Sequence, residues 1–122
     1  MTTDPEFAEA FEALKSLMKK HEKTFRVLKD EEREYTLVTK SNSNRGMPMW
    51  FGSVRLGKAY VSYHLMPLYF NPPMNALVSP ALKKRMQGKT CFNFKKVDKD
   101  LFAELKTLTQ AGVDDYRKRE LL

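Results

Sequence analysis

Side chains suited to nucleophilic chemistry are few in this chain: two histidines and one cysteine among 122 residues. His64 lies in the run Tyr60-Val-Ser-Tyr-His-Leu-Met66, where period-two alternation puts Tyr60, Ser62, His64 and Met66 on one face. Cys91 lies in Thr90-Cys-Phe-Asn-Phe94. If the two runs are neighbouring strands, a thiol meets an imidazole, the pairing that a cysteine nucleophile and its base require. No helix start or glycine elbow surrounds Cys91 to lower its pKa. A packed thiol and a hydrogen-bonded sheet histidine are therefore expected, and no catalytic residue is assigned.

Metal and phosphate chemistry are equally sparse. Zinc needs several Cys or His ligands at short spacings, and these are absent. Glu6, Glu9 and Glu12 recur at i, i+3 and i+6, so neighbouring carboxylates share a helix face and could meet a hard cation such as iron. An acidic first turn and a solvated helix face account for the same residues. Gly88-Lys-Thr90 resembles the end of a phosphate loop, but position 83 is lysine where the motif needs glycine, and the segment leads into a strand. Residues 83–96 gather Lys83, Lys84, Arg85, Lys89, Lys95 and Lys96 around Phe92 and Phe94. Bases of a single-stranded nucleic acid stack on aromatics over such a positive groove. Phe92 and Phe94 share one face, however, which is the signature of a core.

The remaining signal is a surplus of large apolar groups. Met47, Met49, Trp50, Phe51, Tyr60, Tyr63, Met66, Tyr69 and Phe70 exceed what one face of a small sheet can bury. Alternation puts Trp50 and Val54 on one face, and Met49 and Phe51 on the other. The second face must then be covered by residues 67–87, by a partner or by a ligand. Trp50, Arg55, Tyr60, Tyr63, His64 and Lys89 are the ligand-binding residues this predicts, the aromatics giving contact area while Arg55 and Lys89 orient an anionic group. An apolar second face would also suit a homodimer.

These groups need a scaffold. Asp4-Pro5 starts a helix, continued by the stripe Phe7, Ala10, Phe11, Leu14, Leu17 and Met18 to about His21. Runs around 25–28 and 35–39 form a hairpin, and residues 41–46 a loop. Two more strands follow at 47–56 and 59–66, joined by a Gly57-Lys58 turn where glycine supplies positive φ. Prolines break the pattern, and Asn71-Pro72 and Ser79-Pro80 begin short helices near 72–78 and 80–87, the latter stopped by Gly88. A fifth strand spans 90–94. Asp98 caps a last helix with the stripe Leu101, Phe102, Leu105, Leu108, Val113 and Tyr116, which Gly112 loosens. The order α-β-β-β-β-α-α-β-α predicts an α+β two-layer sandwich, an antiparallel sheet of about five strands with the terminal helices on one face.

Length fits one domain over residues 1–122, large enough to bury its own core. A lone cysteine fits a reducing compartment. No leader opens the chain, and no apolar run approaches the roughly 18 residues of a membrane span, so a cytoplasmic protein without membrane attachment is expected. The net charge of +7 favours acidic partners.

The stretches Met49-Trp-Phe-Gly-Ser-Val-Arg-Leu-Gly-Lys-Ala-Tyr-Val-Ser-Tyr-His-Leu-Met-Pro67 and Lys83-Lys-Arg-Met-Gln-Gly-Lys-Thr-Cys-Phe-Asn-Phe94 resemble a group of short bacterial proteins of unknown function. More distantly, a Lys-Gly-aromatic-type strand before a capped C-terminal helix, here residues 88–94 and 98–119, resembles YdhG-like domains. That resemblance implies an α+β fold comparable to frataxin and, from a branch regarded as an iron chaperone, an iron surface on Glu6, Glu9 and Glu12. This chain departs from it in being basic, its first helix included from Lys15. The expected function is a non-enzymatic binding module for a small ligand or protein partner. Iron binding by the first helix and single-stranded nucleic-acid binding by residues 83–96 are the alternatives.

Overall fold

A computed structural model describes residues 4–42 and 46–122; part of the loop expected at 41–46 therefore lies outside the described residues. Helix α1 (Pro5–Lys19) begins where the Asp4 carboxylate accepts the Glu6 N–H at 2.8 Å, with proline in the first turn. Its stripe Ala10, Phe11, Leu14 and Met18 is fully buried. Strands β1 (Arg26–Glu31), β2 (Glu34–Val38), β3 (Trp50–Leu56) and β4 (Val61–Leu65) follow as an antiparallel meander. Then come a short helix α2 (Pro67–Phe70), a 3-10 turn (Pro72–Leu77), α3 (Pro80–Lys83), β5 (Met86–Gln87), β6 (Cys91–Phe94) and α4 (Lys99–Lys118).

The strands make one six-stranded antiparallel sheet in the order β1-β2-β3-β4-β6-β5, and α1 and α4 cover one face, the two-layer α+β sandwich. One strand more than expected comes from Met86–Gln87, which pairs with β6 instead of extending a helix through 80–87. Gly88, at φ +77°, therefore bends the β5–β6 turn and stops no helix. The 72–78 helix is a 3-10 turn, as suits a segment with two prolines.

The covered face carries Tyr35, Leu37, Val54, Val61, Tyr63, Leu65, Phe92 and Phe94, all nearly inaccessible. Phe51 stacks on Phe25 with centroids 4.2 Å apart and meets Tyr116 edge-on at 5.4 Å. Such pairs contribute about 0.5–1.5 kcal/mol beyond the area they bury. The Tyr63 hydroxyl lies 2.6 Å from Thr109 Oγ1, joining β4 to α4 inside the core. Helix α4 runs unbroken through Gly112, whose missing side chain lets Pro67 approach: a Cβ there would meet Pro67 Cγ at 2.9 Å. Among the described residues no helix is long and apolar enough to cross a membrane.

Candidate functional site on the open sheet face

Regular alternation would turn Trp50 and Val54 to the same side, but β3 does not alternate regularly. Leu37 pairs with Gly52 while Val38 pairs with Trp50, leaving Phe51 as the extra residue of a β-bulge. Phe51 enters the core beside Val54, and Trp50 shares a face with Val38. Bulges re-aim side chains in this way. The Tyr116 hydroxyl donates to the Trp50 carbonyl at 2.6 Å, so α4 holds the bulge backbone while the indole is 40% exposed.

Among the described residues the helices that pack on the sheet, α1 foremost, lie on the opposite face from Trp50, whose own face has side chains that bond mainly with one another. Arg55 Nη2 lies 3.3 Å from Glu34 Oε1, Thr36 Oγ1 donates to Glu34 Oε2 at 3.1 Å, and Lys29 Nζ lies 3.6 Å from the same oxygen. Ser62 donates to Asn93 Oδ1 at 3.0 Å, Asn93 Nδ2 donates to Gln87 Oε1 at 2.8 Å, and the Tyr60 hydroxyl donates to Gln87 Oε1 at 3.0 Å. Buried Ser53 and Thr36 form the floor. The expected apolar second face is thus corrected: apart from Trp50 and Val38 it is polar, because Met49 and Phe51 pack with the core.

Of the predicted site residues, Trp50, Arg55 and His64 belong to this face, and Tyr60 reaches its edge through Gln87. Tyr63 does not. It points into the helix layer with no exposed surface, and burial raises its phenol above the usual range. Lys89 sits in the β5–β6 turn with its ammonium 6.0 Å from the Tyr69 ring centroid, at the end of the sheet where β4 closes. Of the partners Glu34, Gln87 and Asn93, only Asn93 was legible in the sequence, from its place between two core phenylalanines; Gln87 joins the face through β5, a strand defined only by its pairing with β6.

Strand β6 lies beside β4, and His64 is directly paired with Cys91. The electrostatics run against an activated pair. Burial pushes the Cys91 thiol up, with Ser62 and the Arg55 charge pulling the other way without overcoming it, and the thiol is 3.3 Å from Asn93 Oδ1. Burial first, then the Arg55 charge, lowers the His64 pKa, against a smaller opposing effect of Glu34. A thiol pushed up in this way is disfavoured as a nucleophile, since the thiolate is the reactive form.

The acidic helix and the basic segment resolve differently. Glu6 and Glu9 line a shallow groove together with Lys96, whose ammonium competes with a cation there. Among the described residues no three His, Cys, Asp or Glu side chains gather closely enough to hold a metal ion. Phe92 and Phe94 are core residues, so they offer no stacking platform. Lys83, Lys84, Arg85, Lys95 and Lys96 are exposed around the start of α4 and the β6 end. Comparisons with family models, curated proteins and solved structures found no match to this chain.

Proposed function

We propose that this chain is a non-enzymatic binding module whose contact surface is the open sheet face. Its ligand or protein partner presents an apolar group to Trp50 and an acidic group to Arg55. The observation that carries this reading is the β-bulge, which turns a large aromatic side chain out of the core while Tyr116 keeps its backbone fixed. A tryptophan with its backbone anchored and its ring turned toward polar groups supplies contact area, the character of an interface anchor. Met47, Tyr69 and Phe70 are also exposed, the last two packed edge-on against each other. The reading is non-enzymatic because burial pushes the Cys91 thiol up, away from the thiolate that a cysteine nucleophile needs.

Trp50 is the chain's one tryptophan, so its emission reports the site directly. Acidic peptides and small carboxylates or phosphates that bind there shift that emission. Trp50→Ala and Arg55→Glu should each weaken the same binding at least about tenfold, worth about 1.4 kcal/mol. Ligands retained with equal affinity by both variants would defeat the proposal.

Single-stranded nucleic acid on the basic edge is a second reading, favoured by one observation. Lys83, Lys84, Arg85, Lys95 and Lys96 are exposed, and none forms an ion pair among the described residues. Without stacking, such binding would be electrostatic and steeply salt-dependent. Oligonucleotide affinity that does not fall between low and physiological salt would remove it.

A further inference from the structure

We propose that the groove between the end of α1 and the outer side of α4 is a binding site for a small phosphate ester. The groove spans about 590 Å³, within the size range of small-molecule sites. Lys20, just past the end of α1, and Lys106 of α4 stand in its lining, and neither forms an ion pair among the described residues. The groove's one acid, Asp114, is already engaged: it accepts from Gln110 Nε2 at 3.1 Å and lies 3.6 Å from Arg117 Nη1. Two lysines without an ion-pair partner among the described residues therefore border one groove, and its carboxylate already lies beside another cation. A phosphate monoester, with about −1.5 to −2 charge at neutral pH, matches that arrangement better than a monoanion.

The rest of the lining suits the remainder of such a ligand. Thr107 donates to the Ala103 carbonyl at 3.4 Å, a long bond that a phosphate oxygen can replace. Ala103 and Ala111 supply methyl groups against which a carbon skeleton can rest. His21 closes the α1 side, faced by Lys20 from its own segment and by Lys106 and Asp114 from α4. Burial first, then Lys20, lowers its pKa, with Asp114 opposing. A bound dianion reverses that balance, so binding raises the His21 pKa and draws a proton onto the imidazole. The site lies on the outside of the helix layer, away from the open sheet face, and is independent of the function proposed above.

The test titrates the full chain with phenyl phosphate, using benzoate and chloride at equal ionic strength as controls, and follows amide shifts and the His21 ring proton. The expected result is saturable shifts at residues 20–21 and 103–114, an upward move of the His21 titration, and unchanged Trp50 emission. Lys20→Ala and Lys106→Ala are both at exposed positions. Each should weaken binding about tenfold while leaving the unfolding midpoint in place. The proposal is overturned if the shifts do not saturate, if benzoate or chloride reproduces them, if they survive in the double variant, or if His21 titrates alike with and without the probe.

Discussion

Tyr63 and His64 are adjacent in the chain and opposite in environment, because each step along a strand changes face. Tyr63→Phe removes the buried hydroxyl contact with Thr109 and should cost about 1 kcal/mol in urea unfolding, leaving Trp50-reported binding intact. His64 and His21 both have lowered pKa values in the folded state, chiefly through burial. The unfolded chain therefore binds more protons below about pH 6.5, so their stability contribution is complete above that pH and is lost as pH falls toward the folded values. The urea midpoint should drop between about pH 7 and pH 5, and His64→Gln should flatten part of that slope; an unchanged profile would remove His64 as a contributor. Cys91, its thiol pushed up by burial, should react with a thiol reagent at neutral pH much more slowly in the native protein than in urea.

At the scale of elements, β3 decides the site and shows where period-two reasoning stops. Its bulge reverses the facing of Trp50 relative to Val54, and no single-strand pattern announces it, because the extra residue is defined only against its neighbour β2. Gly52 has a related role. A Cβ there would lie 2.4 Å from the Met18 methyl and 2.7 Å from the His64 carbonyl, so α1 packs on β3 only over a residue without a side chain. Gly52→Ala should cost about 1–3 kcal/mol, read as a lowered urea midpoint. Gly57 does not supply the positive φ expected of it: residues 57–60 form the link, with the Gly57 N–H donating to the Tyr60 carbonyl at 3.1 Å. Close approach of that carbonyl, 2.9 Å from a Cβ, is what glycine permits there. Helix starts were easier, since Asp4 and Asp98 cap in the way their sequence positions imply; Asp98→Ala should lower stability by about 1 kcal/mol.

Across the whole molecule, buried residues from both terminal helices and the sheet form one contiguous core. The edge strand β1 is guarded by a bulge near Leu28 and by Lys29, Asp30 and Glu31, and the other edge, β5, has two residues. Both features discourage pairing with a second sheet. Trp50 is tied to α4 through Tyr116, so its fluorescence reports the same event as helix loss. Urea unfolding followed by Trp50 emission and by far-UV circular dichroism should give coincident single transitions; separated midpoints would mean that the sheet and the helices lose their packing independently.

The amino-acid sequence by itself determined the two terminal helices, the four-strand meander, the α+β class and the burial of Phe92 and Phe94. Those features follow from local caps and from periodicity within single segments. Only the tertiary structure decided that Cys91 faces His64, that Met86–Gln87 is a strand, and that Trp50 leaves the core while Tyr63 stays in it. The reason is physical: register, bulges and edge pairing are properties of two strands together, and a lone segment carries no record of which residue its neighbour will oppose.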